Sequence, residues 1–203
     1  MKIICIGRNY VEHARELNNE VPTDPVFFLK PDTALLPPTR AFYIPSFSDD
    51  IHYEAELVLK INKEGKNISE EFASRYYDQV TVGIDFTARD IQQRQKEKGL
   101  PWEPAKAFDG SAAVGEFVPL ESLRDLSDIR FSLSLNGGQK QSGSNNLMIF
   151  SFNKIVAFVS TYITLRKGDL VFTGTPKGVG KVQKGDSIVC QLEGKEVLKT
   201  DIR

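Results

Sequence analysis

The chain has 203 residues, 40% hydrophobic and 26% charged, the composition of an ordinary folded protein long enough to bury a core unaided. Lys and Arg total 26 against 27 Asp and Glu, a net charge of −1, which removes the electrostatic case for nucleic acid and for an anionic membrane surface. No apolar run approaches the ~20 residues of a spanning helix, two cysteines do not make a disulfide scaffold, and His13 and His52 are the only imidazoles, too few for a histidine-rich zinc site.

The opening MKIICIGRNY reads as a strand over 2–6 and not as a signal peptide. Cys5 and Cys190 both sit among apolar neighbours, so a reducing, cytoplasmic setting is expected. A short helix over 11–17 follows, then a strand over 26–29. From 32 to 50, Pro37, Pro38 and Pro45 forbid a long helix, and the apolar residues between them predict a packed loop. Residues 51–61 alternate as a strand: Tyr53, Ala55, Leu57, Leu59 and Ile61 share one face; His52, Glu54, Glu56 and Val58 share the other. Val80, Val82, Ile84 and Phe86 alternate with Thr81, Gly83 and Asp85 in a second, half-polar strand. A helix over 88–98 should start on Thr87 as its N-cap and stop at Gly99. Phe131, Leu133 and Leu135 lead into Asn136-Gly137, a type I′ hairpin signal. A helix over 152–165, capped by Ser151, carries a core-packing stripe that includes Ile155, Val156 and Val159. Strands over 170–173, 187–192 and 196–199 complete the chain, with Glu193-Gly194 as the last turn. No repeat, low-complexity tract or composition shift divides the sequence. A single α+β unit over 1–203, mainly β, is expected.

The chemistry-bearing residues fall at four places. Glu54 and Glu56 stand two apart on one strand and so project from one face, with Asp85 on the polar side of another strand. Three hard oxygen donors suit Mg²⁺, Mn²⁺ or Ca²⁺ and leave coordination positions for water or substrate oxygens; a solvated strand face is the ordinary alternative. His13 and Glu16 are three apart in a short helix, where a carboxylate can orient an imidazole as a general base, or where the pair is a surface ion pair. Lys106 lies in Pro104-Ala105-Lys106-Ala107-Phe108, company that a lysine keeps when paired, functional or snorkelling. Thr173-Gly174-Thr175-Pro176, with Gly178 and Gly180, is a glycine-dense turn whose N–H groups and hydroxyls could bind a carboxylate, or simply a turn. It lacks the Gly-Lys-Ser/Thr ending of a nucleotide loop.

In order, the chain reads Gly7-Arg8-Asn9-Tyr10, His13-x-x-Glu16, Phe28-Leu29-Lys30-Pro31, His52-Tyr53-Glu54-Ala55-Glu56 and Asp85-Phe86-Thr87-Ala88-Arg89-Asp90. Then come Gly99-Leu100-Pro101-Trp102, Lys106-Ala107-Phe108-Asp109 and Thr173-Gly174-Thr175-Pro176-Lys177-Gly178-Val179-Gly180. This series resembles the fumarylacetoacetate hydrolase family over nearly the whole chain, and its short acylpyruvase-type members in particular. The resemblance implies a mixed β-roll with a few helices, usually a homodimer. It implies Mg²⁺ or Mn²⁺ on Glu54, Glu56 and Asp85, and His13 and Glu16 on a lid over about 10–25. It also implies Lys106 polarising substrate, and Arg8, Arg89, Gln92 and Thr175 lining the pocket. Ala107 replaces the serine of many members. The implied substrate is a small 2-oxo acid, split by hydrolysis of a C–C bond in an acylpyruvate, with oxaloacetate decarboxylation possible at the same site. A 2-hydroxyhepta-2,4-diene-1,7-dioate isomerase and a non-catalytic metal-stabilised binding module are the alternatives.

Overall fold

β-Branched and aromatic residues recur at alternate positions along much of this chain, and the chain folds mostly as short strands accordingly. The computed structural model describes residues 1–16, 20–38 and 40–203; Leu17, the expected last residue of the first helix, and Asn18 and Asn19, within the expected lid, lie outside the described residues. The first half carries β1 (Ile3–Gly7), α1 (Val11–Glu16), β2 (Val26–Lys30), β3 (Leu35–Leu36), β4 (Ile51–Tyr53), β5 (Ala55–Ile61) and β6 (Tyr77–Asp85). β7 (Thr87–Ala88), α2 (Arg89–Lys98), α3 (Glu103–Lys106), β8 (Ala112–Val114) and β9 (Val118–Pro119) follow. The rest is β10 (Arg130–Leu135), β11 (Gly138–Ser144), α4 (Phe152–Tyr162), β12 (Leu170–Phe172), β13 (Gly180–Lys181), β14 (Ser187–Leu192) and β15 (Lys195–Asp201). Among the described residues, no helix is long and apolar enough to cross a membrane.

Eight strands form one sheet in the order β2-β1-β12-β5-β6-β8-β3, with β9 alongside β6. β1 and β12 pair in parallel, Ile3 against Leu170 and Cys5 against Phe172. Both faces of its centre are covered. Ile4, Ile6, Leu57 and Leu59 join the main core, while Ile3, Cys5, Val58 and Phe172 join a smaller cluster on the other face. The half-polar expectation for β6 is therefore corrected: Thr81 and Asp85 are buried as completely as Val80 and Val82. Gly83 is there for space, since a Cβ would lie 2.7 Å from both Phe172 and Val58.

A second, antiparallel sheet runs β11-β10-β14-β15. Its two tight turns are the expected ones: Asn136 (φ 52) with Gly137 (φ 81), and Glu193 (φ 49) with Gly194 (φ 76), both residues of each in the left-handed region that a type I′ turn demands. α4 packs on the 3₁₀ turn at 70–76 and buries Ile155, Val156 and Val159. Ser151 caps it, its hydroxyl accepting from the Lys154 N–H at 3.2 Å. It ends at Tyr162, not 165, where Ser160 and Thr161 hydroxyls donate to the carbonyls of Ala157 and Phe158, an alternative to continued helix.

The 32–50 segment is packed as expected, with Phe42 buried and stacked on Phe86 at 3.8 Å between ring centroids. α2 stops on Gly99 at φ 63, but the expected Thr87 cap is not formed. Ala88 occupies the cap position without a side-chain bond, because the Thr87 hydroxyl is turned inward, donating to Asp85 O and accepting from Lys106 Nζ.

Candidate active site

Strand pairing, not sequence proximity, gathers three carboxylates. The expected continuous strand over 51–61 breaks at Glu54: β4 pairs with β7 and β13 in a small sheet, while β5 belongs to the large one. Alternation persists through the break, which is why it left no mark on the sequence. The Asp85 N–H donates to Glu54 O at 2.8 Å, and Glu56 stands opposite Gly83 in the β5–β6 register. One oxygen from each of Glu54, Glu56 and Asp85 lies within 4.8 Å of the other two. These residues are 5%, 2% and 1% exposed, so the solvated-face alternative fails.

Each like-charge pair at that distance costs about 3 kcal/mol at an effective dielectric of 20, and buried cations offset it unequally. Lys106 Nζ donates to Glu54 Oε2 (2.7 Å), Asp85 Oδ2 (2.8 Å) and Thr87 Oγ1 (2.6 Å), using all three of its protons. Arg89 bridges Glu54 Oε1 (2.5 Å) and Gln92 Oε1 (2.6 Å). Lys30 Nζ lies 2.7 Å from Asp85 Oδ1 and donates to the carbonyl and hydroxyl of Ser111. Burial alone would raise the Glu54 carboxyl, but Lys106 and Arg89 hold it well below the usual carboxylate range. Glu56 receives only the Gly174 N–H, at 2.6 Å. Burial, then the charges of Asp85 and Glu54, push its carboxyl well above the ordinary value. Asp85 Oδ1 is buried with the Lys30 ammonium as its partner. Three buried carboxylates, one of which, Glu56, has no cation bonded to it among the described residues, are hard oxygen donors that fit a divalent cation.

His13 sits on α1 and is buried, which displaces the surface-pair alternative. Its Nδ1 is 3.1 Å from Glu16 Oε2. A carboxylate only accepts, so Nδ1 carries the proton and Nε2 the lone pair. Burial lowers the imidazole below its ordinary pKa, although Glu54 and Glu16 pull the other way. It is therefore neutral near pH 7 and competent as a base. Glu16 is itself anchored, accepting from the Gly178 N–H at 3.0 Å.

The glycine-dense turn after β12 closes the site. Gly174 adopts φ 103 and a Cβ there would lie 2.7 Å from Asn9 Cβ, so only glycine can present this N–H to Glu56. Asn9, fully buried, donates to the carbonyls of Phe150 and Thr173 and accepts from the Phe150 N–H. Buried Gln141 accepts from the Ala55 N–H and donates to Thr175 Oγ1 and Pro176 O, each at 2.9 Å. Arg8 holds φ 60, a conformation that costs a non-glycine residue about 1 kcal/mol or more.

These groups surround a narrow cleft, about 30 Å³ in volume, lined by Arg8, His13, Glu54, Glu56, Asp85, Arg89, Gln92, Lys106 and Thr175, together with Ile6, Gly7, Phe28, Lys96 and Trp102. Of the residues predicted from sequence, Glu16 alone stands behind the lining, touching His13. Lys30, Lys96 and Trp102 went unassigned. Lys30 had a readable signal, a lysine closing an apolar strand just before Pro31. His52 bonds Asp50 at 3.1 Å and does not line the cleft.

Comparison with known proteins agrees with this geometry. Residues 2–203 match the family described as fumarylacetoacetate (FAA) hydrolase C-terminal. The chain is 41% identical over 192 residues to the Bos taurus mitochondrial oxaloacetate tautomerase FAHD1, covering 95% of this chain and 87% of that protein. It is 41% identical over 203 residues to the Dictyostelium discoideum mitochondrial oxaloacetate decarboxylase, covering 100% and 92%. A crystal structure of the Pseudomonas aeruginosa fumarylpyruvate hydrolase in complex with Mn²⁺ and pyruvate superposes with TM-score 0.94 at 38% identity, covering 100% of this chain and 89% of that one.

Proposed function

The chain belongs to the fumarylacetoacetate hydrolase family, and from that membership and the cleft we propose a Mg²⁺- or Mn²⁺-dependent enzyme that acts on short 2-oxo acids by way of a pyruvate enolate. The observation that carries this reading is one cleft holding both a buried carboxylate triad and a buried imidazole oriented by a carboxylate. A divalent ion on Glu54, Glu56 and Asp85 would supply a Lewis acid for adjacent carboxylate and 2-oxo oxygens. Lys106 holds Glu54 and Asp85 in place and adds positive charge where the enolate oxygen develops. Arg8, Arg89, Gln92 and Thr175 position the substrate.

For an acylpyruvate, His13 Nε2 takes a proton from water as the water oxygen adds to the distal carbonyl carbon. The C–C bond beside that carbon breaks, its electron pair passes into the pyruvate enolate, and His13 returns a proton to the enolate carbon. The products are a carboxylic acid and pyruvate. For oxaloacetate, loss of CO₂ generates the same enolate without attacking water, and keto–enol interconversion takes a proton from C3 with a base and delivers one to the 2-oxo oxygen. The tautomerase and decarboxylase names of the relatives support these two reactions; the fumarylpyruvate hydrolase supports the first. We also propose that the segment over 10–25 is a lid, since α1 is tied to the glycine turn by surface contacts, Glu16 to Gly178 and Glu12 to Lys177, and that the protein acts as a homodimer.

The test is product analysis with acetylpyruvate, oxaloacetate and a hydroxy-diene diacid, with Mg²⁺ or Mn²⁺ added. His13→Ala should lower acetylpyruvate hydrolysis by about 10²–10⁴-fold and oxaloacetate decarboxylation much less. Equal losses refute the division of roles. No turnover of any of the three by the unaltered protein refutes the enzyme and favours a metal-stabilised binding module.

A further inference from the structure

Away from the oxo-acid cleft, an open groove of about 660 Å³ lies where the 38–43 segment meets the end of β15, and no residue lines both. Phe42 and Ile202 form a parallel bridge there, and each is 1% exposed. The Phe42 N–H donates to Asp201 O at 2.9 Å, and the Phe42 carbonyl accepts from the Arg203 N–H at 2.8 Å. Alternation about this anchored bridge turns Tyr43 outward on one segment, and Lys199, Asp201 and Arg203 outward on the other. Arg40 joins them in the lining, its backbone N–H tied to Pro37 O at 2.9 Å. Three cations and a single side-chain carboxylate therefore face one groove, in a chain whose net charge is −1. Among the described residues, none of Arg40, Lys199, Asp201 and Arg203 makes an ion pair. Tyr43 is 68% exposed, and among the described residues its ring meets no other ring and no cation.

Cations gathered on a hydrogen-bonded edge repel one another, and an anion seated among them relieves that repulsion. Two guanidinium forks match the oxygens of a phosphate, and an ammonium adds a point charge. A bare aromatic face beside them can stack on a heterocycle. The volume falls in the range of about 300–1,000 Å³ usual for small-molecule sites. We propose that this groove is a second ligand site, for a nucleoside phosphate: Arg40, Lys199 and Arg203 hold the phosphates and Tyr43 stacks on the base. The site lies outside the oxo-acid chemistry and does not depend on it.

Calorimetric titration of the full chain with ADP, adenosine and pyrophosphate tests this, in EDTA so that no metal at the triad can hold phosphate. ADP should bind, more weakly as KCl is raised, and adenosine and pyrophosphate should each bind less tightly than ADP. Arg40→Gln and Arg203→Gln should each weaken ADP by about tenfold or more, and Tyr43→Ala by about fivefold or more. Asp201→Asn, which removes the opposing charge, should tighten it. All four side chains are exposed, so the variants should fold as the natural chain does. Absence of ADP binding overturns the site. Undiminished binding by an Arg40→Gln, Tyr43→Ala, Arg203→Gln triple variant also overturns it, since ADP would then sit in the other cationic cleft. Pyrophosphate binding as tightly as ADP refutes the stacked base and with it the proposal.

Discussion

Glu56→Gln should make the metal-free protein more stable while removing its response to metal. Glu56 lies within 4.8 Å of both Glu54 and Asp85, and each repulsion is worth about 3 kcal/mol at an effective dielectric of 20. Lys106 and the Gly174 N–H offset part of this, leaving a net cost on the order of 2 kcal/mol. For a chain of this size that corresponds to a Tm increase of about 4–8 °C. A carboxyl raised on folding contributes stability below its unfolded pKa and loses it as pH rises through the folded one. Burial first, then Asp85 and Glu54, raise Glu56, so without metal the natural protein should lose stability above the usual carboxylate range. The variant should lack that part of the slope. Glu54, held low, contributes in the opposite sense, present at neutral pH and lost in acid. Thermal unfolding in EDTA and in millimolar Mg²⁺, from about pH 2 to 8, measures all of this. A variant less stable than the natural protein in EDTA, or one still stabilised by Mg²⁺ to the same extent, would refute the electrostatic account of the triad.

Lys106→Met removes a buried partner of both Glu54 and Asp85 and should cost about 3–5 kcal/mol in metal-free denaturant unfolding; a cost under 1 kcal/mol would show the triad already relaxed without it. Gly174→Ala combines a left-handed backbone with a Cβ at 2.7 Å from Asn9, and should destabilise by about 2 kcal/mol or more while weakening Mg²⁺ binding. The kcat/KM of hydrolysis should rise with pH through a midpoint below 6.5, because burial lowers His13 and only its neutral form accepts a proton. An acid limb centred above 6.5 would contradict that assignment.

Short-range features were legible because local rules govern them. Asn136-Gly137 needs only its own two residues to specify a type I′ turn, and the Ser151 cap needs only the N–H three positions on. The triad was legible in composition, as oxygen donors on strands, but its convergence depends on the pairing of Asp85 with Glu54 across the sheet. Lys30 escaped because its partners, Asp85 and Ser111, belong to distant segments. Thr87 misled for the same reason: helix position favoured a cap, while Lys106 and Asp85 drew its hydroxyl inward. Lys96 carried the right spacing from Arg89, but an exposed-looking helix of charged residues gives no hint of which face meets a cleft.

The insertion of β12 between β1 and β5 fixes when the molecule can mature on the ribosome. A nascent chain that has not yet emerged past Phe172 leaves the opposing edges of β1 and β5 as unpaired rows of amides and carbonyls. Synthesis must therefore carry Phe172 into reach before the central seam can zip shut, and until then those edges are the places where a chaperone, or a stray neighbouring strand, gains purchase.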